Sequence, residues 1–173
     1  MVDWPVVFNS ALVCGLVLSL VLTTIMIISA AIVPDMWVGD YPPDIKERFG
    51  PMSPRAARIR PFVAVLVFAT ALAIPVISMY ILSSRVGSVA FLPALVFSFT
   101  ALLVFNVFDL LVLDWLLFCT IQPRAMVLPG TEGMAGYRDY RFHFIGFLKG
   151  LMFCSLGGLV IACIWMAVKT LLI

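Results

Sequence analysis

Four long apolar stretches, near residues 6–33, 62–82, 92–118 and 144–172, occupy most of this chain. A helix needs about 20 apolar residues to cross a hydrocarbon layer ~30 Å thick, and each stretch is long enough. Strands of a membrane barrel would alternate in polarity over about 10 residues; these runs are continuous and longer. The predicted fold is therefore all-α, a polytopic four-transmembrane-helix bundle forming a single membrane domain over residues 1–173. Composition agrees. Of the 173 residues 64% are hydrophobic and 12% charged, whereas soluble domains are roughly half apolar and a quarter charged. The opening Met1-Val2-Asp3-Trp4-Pro5 has no basic n-region and the first run exceeds a signal-peptide core, so it reads as an uncleaved helix.

Basic residues are distributed unevenly. Lys46, Arg48, Arg55, Arg58 and Arg60 lie in the connection 34–61, and Arg124, Arg138 and Arg141 in the connection 119–143. The other side has only Arg85 and Lys169. The positive-inside rule then places these two connections in the cytoplasm and both termini outside a cell membrane. Turn signals punctuate the first connection: Pro43 opens a short helix that Gly50 ends, and Ser53 caps another with Pro54 at its first position. Pro75 interrupts the backbone ladder of the second span. The stretch Tyr137-Arg138-Asp139-Tyr140-Arg141-Phe142-His143-Phe144 suits the headgroup level, where amphipathic rings settle. The lipid bilayer is the expected partner; nucleic acid is not.

Two stripes of small residues run at four-residue spacing, the separation that shares a helix face. They are Ala11, Gly15, Ser19 and Thr23 in the first span, and Gly146, Gly150, Cys154, Gly158 and Ala162 in the fourth. Such faces let helix backbones approach closely. They predict that spans one and four form a tight pair, or that the stripe serves a homo-oligomer or a membrane-complex partner.

The only acids inside the apolar stretches are Asp109 and Asp114, both in the third. An acid at mid-membrane costs about 3 kcal/mol even on the lenient insertion scale, and such residues usually face the protein interior. On an α-helix, residues five apart project about 140° from each other, so the two should not share a face. Matching depths across spans predicts a buried polar layer of Thr23, Thr24, Thr70, Asn106, Asp109 and Ser155. Lys149 matches the depth of Asp114, which predicts an Asp114–Lys149 ion pair. Asp109 is then either a proton or cation site, or a neutral residue hydrogen-bonded to Asn106 or Thr23.

Catalytic signatures are missing. There is no His-Glu-x-x-His, phosphate-binding glycine loop, Gly-x-Ser-x-Gly or nucleotide fingerprint. Neither a cofactor nor a metal is expected, and no catalytic residue is assigned. Cys14, Cys119, Cys154 and Cys163 are scattered and read as small packing residues. The pieces Tyr41-Pro42-Pro43-Asp44-Ile45, Leu113-Asp114-Trp115-Leu116, Leu128-Pro129-Gly130-Thr131-Glu132-Gly133 and Phe142-His143-Phe144-Ile145-Gly146-Phe147-Leu148-Lys149-Gly150 resemble a group of small bacterial four-helix integral membrane proteins of unassigned function. That resemblance implies a bacterial cytoplasmic membrane and no mechanism. The leading expectation is a non-enzymatic protein, a small transport component or membrane-complex subunit. The alternative is a membrane enzyme acting on lipid headgroups at the cytoplasmic interface, with Asp114, Glu132, Arg138, Asp139, Arg141 and His143 as its possible site.

Overall fold

A computed structural model describes residues 2–172. Helix α1 spans Trp4–Ile32, the short α2 Pro43–Phe49, α3 Pro54–Val86, α4 Phe91–Phe108 and α5 Tyr140–Leu172. From Asp109 to Ile121 the third long helix continues in π geometry. Among the described residues there is no strand, and four helices are long and apolar enough to cross a membrane.

The long helices begin ahead of their apolar runs, and side-chain caps set two of these starts. Asp3 accepts a hydrogen bond from the Val6 amide and starts α1. Ser53 Oγ accepts from the Ala56 amide at 3.2 Å with Pro54 next in line, so α3 begins two turns before its apolar stretch. It then runs on through Pro61 and Pro75. Pro43 opens α2, and Gly50 ends it at φ 87°, a conformation that suits glycine.

The third long helix is the hub, and this corrects the expected pairing of spans one and four. Both small-residue stripes are used against α4. A Cβ added at Gly15 would stand 2.8 Å from the Ala101 carbonyl oxygen, and one at Gly158 3.1 Å from the Phe99 amide nitrogen. One at Gly150 would collide with the Asn106 side chain. Small residues on α4, including Ala94, Ser98 and Ala101, are buried in return. A stripe tells how closely a neighbour can approach, not which neighbour it is. Helix α3 closes the end remote from the basic connections, where Met79 and Leu82 join Phe97, Ile161 and the fully buried Trp165. Trp165 Nε1 donates to the Val89 carbonyl at 3.2 Å, so its one polar group is satisfied.

The two basic connections fold onto each other and form a cap. The short 3-10 segments Pro34–Asp40, Arg124–Met126 and Ala135–Arg138 lie in it with α2. Val38, Tyr41, Ile45, Phe118, Leu128 and Tyr137 are buried together. Tyr41 Oη donates to the Met126 carbonyl at 2.9 Å, and Tyr137 Oη accepts from the Leu128 amide at 2.9 Å and meets Thr131 Oγ1 at 2.7 Å. Asp44 accepts from the Gly136 amide at 2.9 Å, with its carboxylate lying where a side chain would start. The third connection is thus a knitted structure, not an ordinary solvated loop.

Candidate functional site

A cavity of about 570 Å³ lies where the cap meets the bundle. Met26 and Ala30 of α1 line one wall, Ile145, Gly146 and Lys149 of α5 another, and Asn106, Asp109, Leu110, Leu113 and Asp114 lie between them. The cap closes over it with Trp37, Gly39, Asp40, Tyr41, Lys46 and Met126.

The π segment explains how Asp109 and Asp114 come to line the same cavity, against the α-helical expectation. In π geometry each amide bonds to the carbonyl five residues back instead of four; Gln122 N donates to Leu117 O at 2.7 Å in this way. Residues five apart then stand nearly one above the other, as residues four apart do on an α-helix. Thr120 Oγ1 likewise reaches the Trp115 carbonyl five residues back at 2.7 Å.

Asp114 does not pair with Lys149. Its Oδ1 lies 2.9 Å from Nδ1 of His143. The antiparallel register of α4 and α5 decides this. His143 is level with Asp114, while Gly150, about two turns further along α5, packs on Asn106. Lys149 therefore sits nearer the level of Asn106 than of Asp114. It has no carboxylate within ion-pair distance among the described residues. His143 is only 6% exposed and is flanked by Phe118, with ring centroids 4.8 Å apart, and by Phe142. With Asp114 accepting from Nδ1–H, Nε2 is left buried and without a partner. An unsatisfied buried polar atom of this kind costs about 1–3 kcal/mol.

The polar layer assembles only in part. Asn106 and Asp109 line the cavity. Thr24 and Ser155 face outward and bond their own backbone, to Leu20 O at 2.7 Å and Leu151 O at 3.0 Å. Thr70 is half-buried and does not line the cavity, and Thr23 Oγ1 is buried without a partner. Equal depth brings residues together only when their helix faces also meet. Neither expected partner takes Asp109: the Asn106 amide donates to the Phe147 carbonyl at 3.2 Å instead, and Thr23 Oγ1 bonds to nothing.

Three charged or polar cap residues in the cavity, Asp40, Tyr41 and Lys46, were not singled out as site residues by sequence. Their only signal was position, in and beside the Tyr41-Pro42-Pro43 turn. Desolvation raises the Asp40 carboxyl above its ordinary value, Arg60 and Lys46 pull it back, and Asp114 adds to the rise. Burial also raises the Tyr41 phenol, helped by Tyr137 and Asp40. Lys46 Nζ donates to the Gly39 carbonyl at 3.3 Å. Glu132, Arg138, Asp139 and Arg141 are not among the cavity-lining residues. Among the described residues, no three His, Cys, Asp or Glu side chains stand close enough to hold a metal ion. Comparison with family models, curated proteins and solved structures finds no match for this chain.

Proposed function

We propose that the chain is a multi-pass protein of a bacterial cytoplasmic membrane, and that the cavity around Asp109 is the ion- or solute-binding chamber of a small transport component. The cap faces the cytoplasm in this reading, because the basic residues concentrate there. The observation that carries it is the Asp109 carboxyl, which lines a 570 Å³ cavity while its expected hydrogen-bonding partners turn elsewhere. A carboxyl in an apolar span is too costly to keep as simple packing, and acids and histidines in such positions mark ion and proton pathways. Asp114, His143, Asp40, Lys46 and Lys149 share the cavity and set its charge.

Headgroup chemistry at the same interface has less support. Arg138 does not line the cavity, and the free nitrogen of His143 is sealed from solvent instead of facing a nucleophile. A role limited to assembly also loses its sequence argument, since Gly15, Gly150 and Gly158 are occupied within the chain. The test is proton or monovalent-cation entry into proteoliposomes. Wild type should exceed protein-free vesicles, and Asp109→Asn should fall back to the leak rate. Equal rates in all three contradict the reading.

A further inference from the structure

The cavity is walled on one side by α5. Ile145, Gly146 and Lys149 line it and are also exposed on the bundle's flank. A Cβ added at Gly146 would meet nothing within 4 Å. Gly146 thus belongs to the small-residue stripe by spacing, yet faces open space instead of a neighbouring helix. This flank lies within the span Tyr140–Leu171, so in a membrane it faces lipid, and a ligand entering there is an amphiphile.

The charged groups are ordered along the bundle axis. Gly150 packs on Asn106 and His143 bonds Asp114, so Lys149 lies farther from the cap than Asp114 does. A phospholipid in the leaflet at the cap end presents its groups in the matching order. Drawn into the cavity, it would keep its phosphate on the membrane side, toward the unpaired ammonium of Lys149, and a headgroup amine on the cap side, toward the carboxylates. Met26, Leu110 and Leu113 supply apolar wall.

We propose that the cavity admits, past Gly146, the headgroup of a phospholipid bearing a primary ammonium, with its phosphate on Lys149 and its ammonium on Asp109 and Asp114. This rests on the cavity being a binding chamber, and adds the ligand's chemical class and its route of entry. The net charge of such a headgroup is near zero, which suits a site holding both lysines and acids. An anionic lipid without the amine would satisfy Lys149 and meet the carboxylates unfavourably.

The test is native mass spectrometry of the full-length protein taken from vesicles of equal phosphatidylethanolamine and phosphatidylglycerol. Wild type should retain the ethanolamine lipid several-fold over the glycerol lipid. Asp109→Asn with Asp114→Asn should bring the ratio to parity, and Lys149→Met should lower retention of both. Gly146→Phe should lose both lipids at an unchanged melting temperature. Soluble phosphoethanolamine, which needs no variant to fold, should raise the melting temperature of delipidated wild type far less than the lipid does. Parity in wild type, or equal stabilisation by the soluble headgroup, overturns the proposal. Cation flux that depends on Asp109 together with lipid parity removes the ligand class alone. Lipid preference without flux removes the transport reading alone.

Discussion

Asp114 and His143 join the π-helical stretch to the start of α5 through a 2.9 Å contact between Oδ1 and Nδ1. The pair is part-buried, with side-chain exposures of 26% and 7%, so water cannot readily replace the carboxylate at His143. Losing one partner of such a bond costs about 1–3 kcal/mol. Asp114→Asn and His143→Phe should each lower the melting temperature in detergent, and the double variant should lose less than the sum. Additive losses in this cycle would show that the contact contributes nothing.

Two glycines of one stripe should respond differently. Gly150 abuts the Asn106 side chain, whereas Gly146 faces open space. Gly150→Ala should therefore displace Asn106, break its bond to the Phe147 carbonyl and destabilise the bundle by about 1–3 kcal/mol. Gly146→Ala should be neutral or slightly stabilising, since alanine is the better helix former. Equal thermal shifts for the two would mean that α5 does not dock on α4 in this register.

These glycines show how much of the molecule is legible in the sequence. Length and apolarity are local properties, so four long helices follow from them directly. The caps at Pro43, Gly50, Ser53 and Pro54 are also local and stand as expected. Partner choice is not local. The stripe on α5 does not say that α4 will fill it, and depth matching paired Asp114 with Lys149 because it placed the start of α5 at residue 144. The helix begins at Tyr140, and that one turn brings His143 level with Asp114. The π geometry that aligns Asp109 with Asp114 has no pattern in hydropathy. The cap's contribution has no local signal, because turn residues mark where the chain bends and not what it packs against.

Topology is open to direct labelling. With the exposed Cys163 replaced by alanine, cysteines at Ser84, Glu47 and Glu132 would all lie on exposed positions. A membrane-impermeant thiol reagent added outside intact cells should reach position 84 and neither of the other two. The opposite pattern reverses the orientation drawn from the basic residues.

The raised carboxyl of Asp40 has a consequence for stability. Its ordinary value is 3.8, and burial moves it upward in the folded chain. Over the window that starts there, the folded chain keeps a proton that the unfolded chain has released. Folding stability therefore falls as pH rises through that window. Asp40→Asn should remove this component and give a flatter dependence than wild type. The effect should be modest, because Asp40 lines the cavity yet stays exposed, where solvent screens it. A variant whose pH profile parallels wild type would show that the carboxyl does not feel the cavity.

The most direct test of the account is infrared difference spectroscopy of the Asp109 carboxyl in the reconstituted protein. Spectra would be compared across about pH 5 to pH 9, where an ordinary aspartate near 3.9 stays ionised, and with and without monovalent cation or ethanolamine lipid. Wild type should show a carboxyl band that responds to pH or ligand, and Asp109→Asn should lack that band while keeping the helical amide signal. A wild-type spectrum that answers to neither pH nor ligand would contradict the account and leave Asp109 as a structural residue.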